Sequence, residues 1–168
     1  MEELVQTQNT LAEDAAALEA VSLRLSWVMR RRLEQELAHF QLTMPQYMAL
    51  RCVERSGGTG CSMTDLAAAS HQVLPTMTGI VDRLAERGLV VRERDPRDRR
   101  ALLVRMTDAG ESLMEQVTER KLALSSRVLS RLSPEERGVV IGVLERYLAV
   151  FQSGLDGQDE AANTGMQE

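Results

Sequence analysis

Apolar side chains recur at threes and fours from Leu18 through Val21, Leu25, Val28, Met29, Leu33 and Leu37 to Phe40, while Arg30, Arg31, Arg32 and Glu34 fall on other faces. That period predicts one long amphipathic helix. Thr43, followed by Pro45 and Gln46, reads as an N-cap with proline in the first turn, so a shorter helix should run to Arg55, where Ser56, Gly57 and Gly58 stop it. Thr64 or Ser62 can cap a third helix over residues 65–70. A fourth should begin near Pro75 and end at Gly88, well placed as a C-terminal glycine.

The period then changes. Leu89-Val90-Val91-Arg92-Glu93-Arg94 and Ala101-Leu102-Leu103-Val104-Arg105-Met106 are short β-prone runs joined by Asp95-Pro96-Arg97-Asp98-Arg99-Arg100, which predicts a hairpin with a charged tip. Thr107 can cap a long helix from Asp108 to about Ser130. Ser133-Pro134-Glu135-Glu136 supplies a hydroxyl cap, a first-turn proline and a carboxylate at the third position, so a last helix should carry Val139, Val140, Val143, Leu144, Tyr147, Leu148 and Phe151. Residues 1–12 and 154–168 are expected to be loose, the second stretch as an acidic tail.

Two short helices with a tight connection, followed directly by a two-stranded ribbon, are the layout of a helix-turn-helix with a wing. The expected fold is therefore mainly α with a small β-hairpin. A winged helix-turn-helix core at 43–107 is flanked by dimerisation helices at 13–42 and 108–153. A winged core needs little beyond 43–107, so the apolar stripes outside it require another burial partner, which a second subunit supplies.

Composition narrows the function. The 168 residues carry a net charge of −5, yet eight arginines face only four acids between 83 and 105, a local +4 within a remainder of −9. Such a basic island can attract a polyanion while the acidic remainder limits indiscriminate sticking. An aromatic fraction of 3% excludes a stacking surface for single strands. Two histidines far apart, no phosphate-binding glycine loop and no paired carboxylates leave no catalytic constellation, so an enzyme is not expected. Neither a metal nor another cofactor is called for. The N-terminus lacks the basic start of a signal peptide, no segment is apolar enough to span a membrane, and two cysteines are too few for a disulfide framework; a cytoplasmic protein is expected.

Asp65-Leu66-Ala67, the run from Thr76 through Gly79, Asp82 and Arg83 to Gly88-Leu89-Val90, then Asp95-Pro96-Arg97-Asp98-Arg99-Arg100, Leu103-Val104 and Met106-Thr107-Asp108-Ala109-Gly110 together resemble the MarR family of bacterial transcription regulators. The resemblance implies a homodimer whose first and last two helices interlock. It would bind double-stranded DNA at a pseudopalindrome with half-sites about one helical turn apart.

On that resemblance the fourth helix reads DNA, with Pro75, Thr76, Thr78, Gly79 and Arg83 as candidate contacts. Threonine can touch bases or phosphates, and its methyl can meet a thymine methyl. Arg94, Arg97, Asp98, Arg99 and Arg100 form the candidate wing, Asp98 orienting an arginine toward the minor groove. Many relatives have leucine and glycine where Ser70 and His71 stand, and a serine cap where Val73 stands, so the turn and the start of the fourth helix are expected to differ here, with Pro75 starting the helix.

The resemblance also implies a cleft for small aromatic or phenolic anions, for which Trp27, Arg31, Phe40, Met44, Tyr47 and Met48 are the candidate lining. Cys52 is expected in the core, whereas Cys61, between glycine-rich residues, is expected to be accessible and is the candidate for a redox switch. The alternatives to a DNA-binding repressor are a winged-helix module that binds a protein partner and a thiol-based redox-sensing regulator.

Overall fold

The computed structural model describes residues 2–95 and 102–164, with side chains described for 10–95 and 102–153. Among the described residues six helices and three strands follow in the order α1 (Glu2–His39), α2 (Met44–Arg55), β1 (Cys61–Ser62), α3 (Met63–Ala69), α4 (Leu74–Glu86), β2 (Val90–Arg94), β3 (Leu102–Met106), α5 (Asp108–Leu129) and α6 (Pro134–Thr164). The fold is mostly helical with a small antiparallel sheet, as winged-helix chains are. Among the described residues no helix is long and apolar enough to cross a membrane.

The helix starts follow local chemistry. The Thr43 hydroxyl accepts from the Gln46 amide at 3.5 Å while the Gln46 side chain accepts from the Thr43 amide at 2.9 Å. This closes a capping box around Pro45 in the first turn. Ser62, rather than Thr64, caps α3, accepting from the Asp65 amide at 3.1 Å. Ser133 repeats the box on α6: its hydroxyl accepts from the Glu136 amide at 3.2 Å, and its own amide donates to the Glu136 carboxylate at 2.7 Å.

Two differences concern extent. The helices run through the termini expected to be loose: α1 begins at Glu2 and α6 continues to Thr164. Residues 2–12 contain neither glycine nor proline, and Gly154 and Gly157 each cost a helix only about 1 kcal/mol without breaking it. The ribbon is also not isolated. β1 pairs with β3, setting Cys61 opposite Val104, so the sheet has three strands in the order β1-β3-β2. A two-residue strand carries too little alternation to be read from sequence.

The chain divides into two compact units, Met1–Lys121 and Leu122–Glu168. The first holds the core: Leu37 of α1, Leu50 of α2, Leu66 of α3, Met77, Val81 and Leu84 of α4, Val90 and Val104 of the sheet, and Met114 and Val117 of α5 are buried together. Aliphatic side chains and methionine fill it, as the scarcity of aromatics requires. Gly110 lets α5 close onto the sheet: a Cβ there would lie 2.2 Å from the Leu89 carbonyl oxygen and 2.8 Å from the Met106 sulfur. The second unit is the end of α5 and α6, where Tyr147 and Phe151 stack at 6.0 Å.

Apolar surface remains uncovered in both units. On α1, Leu18, Val21, Leu25, Trp27, Val28 and Met29 are exposed; on α6 so are Val139, Val143, Leu144, Tyr147, Leu148 and Phe151.

Candidate nucleic-acid interface

The turn between α3 and α4 takes the shape that glycine would give it, using histidine instead. His71 adopts φ +50°, and the amides of His71 and Gln72 donate to the carbonyls of Ala68 and Ala67 at 3.1 and 2.9 Å, closing the end of α3. At Val73 no side chain caps α4, and Pro75 stands in the first turn, where its missing N–H loses nothing.

Met77, Ile80, Val81 and Leu84 point α4 into the core. The opposite face is open: Pro75, Thr76, Thr78 and Arg83 are exposed and Gly79 is half-buried. The Thr78 hydroxyl donates back to the Leu74 carbonyl at 3.0 Å, which commits its proton to the helix and leaves its oxygen able to accept.

Two arginines tie this helix to its surroundings, and a third braces the ribbon. Arg92 of β2 places its guanidinium 2.6 Å from the Asp82 carboxylate and donates to the Thr78 carbonyl at 3.4 Å, joining ribbon to helix. Arg87, immediately after α4, donates to the carbonyls of Gln41 and Phe40 at 2.8 and 2.9 Å, joining the end of α4 to the end of α1. Arg105 of β3 lies 3.0 Å from Glu93 across the ribbon and also bonds the Gly58 carbonyl. None of these roles was legible from the sequence, where the same arginines count only as charge. Arg94 is exposed at the end of β2. Arg97, Asp98, Arg99 and Arg100 lie outside the described residues.

The residues expected to line a ligand cleft do not come together. Tyr47 is buried, its hydroxyl accepting from Lys121 at 2.8 Å, and Phe40 and Met44 pack against the same core. Trp27 and Arg31 stand instead on the open side of α1, the guanidinium 5.3 Å from the ring centroid. With Val28, Arg32 and Gln35 they line a shallow concavity of about 250 Å³ that Phe40, Met44, Tyr47 and Met48 do not reach. Tyr47 faces inward on α2 and Phe40 and Met44 are half-buried against the core, whereas Met48 is exposed and Trp27 lies on α1 well before the segment that the core covers.

Cys61 is likewise not accessible. Strand pairing buries it, with its sulfur 3.3 Å from that of half-buried Cys52 and 3.2 Å from the Cys52 carbonyl. Burial first, and the adjoining Cys52 thiol second, push the Cys61 thiol up to about 12. Such a thiol is a poor nucleophile at neutral pH. Among the described residues no group of His, Cys, Asp and Glu could hold a metal ion.

Comparison with known proteins agrees with this architecture. The sequence model of the MarR family matches residues 42–102, from the start of α2 to the start of β3. The chain is 30% identical over 115 residues to the HTH-type transcriptional repressor NicR of Pseudomonas putida, covering 68% of this chain and 72% of that protein. It is 33% identical over 87 residues to a proposed transcriptional regulatory protein for the hcr operon of Thauera aromatica, with 52% of each covered, so it aligns with about half the length of that relative. The solved structure of a MarR family protein from Bacillus stearothermophilus superposes with a TM-score of 0.72 at 27% identity, covering 85% of this chain and 96% of the other.

Proposed function

This chain belongs to the MarR family of winged-helix transcription regulators, and from that premise we propose that it works as a homodimeric repressor on a pseudopalindromic operator. It is a DNA-binding transcription regulator and not an enzyme. The observation that carries the finer reading is the pairing of Asp82 with Arg92, which sets the open face of α4 and the basic ribbon as one surface. In that reading Pro75, Thr76, Thr78, Gly79 and Arg83 enter the major groove, and Arg94, Arg97, Asp98, Arg99 and Arg100 serve the minor groove and backbone.

The uncovered apolar faces of α1 and α6 support the dimer. Fully burying a side chain such as Val, Leu or Phe contributes about 1.5–3 kcal/mol, so a dozen left in water is a large driving force for association. Release by a small aromatic or phenolic anion is supported by Trp27 and Arg31, an aromatic face beside a cation at an open concavity. A regulator of this kind works in the cytoplasm, where its operator lies.

Footprinting on the DNA upstream of its own gene tests the proposal. Two protected half-sites about one helical turn apart, occupied by a dimer in sedimentation, are expected. A monomer bound to a single site would contradict it.

A further inference from the structure

The open end of α4 is apolar in a way that its fold does not require. Val73, at the N-cap, is 68% exposed and Leu74, the first residue of the helix, 48%, although the inward face of α4 is complete without them. From His71 to Val81 the sequence holds no Asp, Glu, Lys or Arg. The polar groups there are partly engaged: the Thr78 hydroxyl donates to the Leu74 carbonyl at 3.0 Å, and the Gln72 amide donates to the Ser70 carbonyl at 3.2 Å. What projects from the first turns of α4 is therefore largely methyl groups.

The major groove offers few groups to such a surface. Guanine is read by paired donors from arginine or lysine, adenine by the amide of asparagine or glutamine, and cytosine by an acceptor. The C5-methyl of thymine is the one apolar group that a base edge displays. Charge sets in around the methyl-bearing turns with the exposed Arg83 on α4 and Arg94 on the ribbon, Arg92 being engaged by Asp82, so phosphates have partners at the margin while the centre stays neutral.

We propose that Val73 and Leu74 are specificity-determining residues that read thymine methyl groups in each half-site, with the methyls of Thr76 and Thr78 alongside. The inference rests on the DNA-binding reading and adds the base class to it.

The test uses the full-length dimer and the footprinted duplex, with each half-site thymine replaced in turn by deoxyuridine. That change removes the C5-methyl and leaves every hydrogen-bonding edge intact. Removing one buried methyl should weaken binding about four-fold at the contacted positions. Val73→Ala and Leu74→Ala should bind the natural duplex more weakly and no longer show the penalty for deoxyuridine, whereas Val73→Ile should keep it. Both sites are exposed, and circular dichroism checks that the variants fold. A wild-type protein indifferent to deoxyuridine at every position, or alanine variants with an unchanged penalty, would overturn the proposal. Failure to bind the natural duplex at all would instead overturn the DNA-binding reading itself.

Discussion

Arg92 reaches from the ribbon to α4, its guanidinium 2.6 Å from the Asp82 carboxylate and within 3.4 Å of the Thr78 carbonyl. The pair is partly exposed, so it adds little to global stability, of the order of 0–1 kcal/mol. Its effect is on geometry, because a helix in one groove and a ribbon beside the next must hold a fixed separation to be engaged together. Asp82→Asn should leave the melting temperature within about 2–3 °C and lower operator affinity at least several-fold. Binding to the operator and thermal melting of the same variant check this; an unchanged affinity would show that the ribbon is held without Arg92.

His71 holds a left-handed backbone conformation that costs a residue with a Cβ about 1–2 kcal/mol. His71→Gly removes that strain but enlarges the freedom of the unfolded chain, so the net gain should be up to about 1 kcal/mol. Denaturant unfolding reads it as a higher midpoint at constant slope. A loss of stability would mean that the imidazole makes a contribution larger than the strain.

Gly110→Ala should be among the most damaging single-methyl changes in the chain. The added carbon would sit 2.2 Å from a backbone oxygen, at Leu89, which cannot swing aside as a side chain can. Separating α5 from the sheet should cost about 1–3 kcal/mol or more. Urea unfolding of the variant measures the loss; an unperturbed midpoint would contradict the packing of α5 on Leu89.

Cys61 predicts a pH dependence. Its thiol titrates near 12 in the fold against about 9 when unfolded, so folding favours the protonated form. The contribution is complete below pH 9 and is lost as the pH rises from 9 through 12. Alkylation of Cys61 in the native protein should therefore be slow at pH 8 and become fast after denaturation, with mass spectrometry distinguishing it from Cys52. Fast native alkylation would restore the accessible redox cysteine that the sequence led one to expect.

The contrast at Cys61 explains what was legible in the sequence. The helices were, because capping and period are local: Thr43 with Gln46, and Ser133 with Glu136, announce helix starts within four residues. The winged layout followed from their order. The third strand did not, since Cys61 and Ser62 gain strand character only from pairing with Val104 and Leu103, some forty residues away. For the same reason the 3.3 Å approach of Cys52 and Cys61 was hidden behind a spacing of nine. Side-chain direction around the expected ligand cleft is not legible from spacing either: the fold turns Tyr47 inward to Lys121 and leaves Trp27 outside. The open position of Val73 and Leu74 is not legible either, because apolar residues at a helix start normally signal core, and only their exposure reveals otherwise.

The central claim is sequence-specific DNA binding through α4 and the wing, and the most direct measurement is affinity for the duplex upstream of the gene and for a shuffled duplex across a salt series. A clear preference for the upstream duplex and a steep fall of log K with log salt are expected. The slope should become shallower when Arg97, Arg99 and Arg100 are replaced together by alanine, because each phosphate that an arginine neutralises contributes about 0.9 to it. Equal affinity for the two duplexes, or a slope unchanged by the triple replacement, would contradict it.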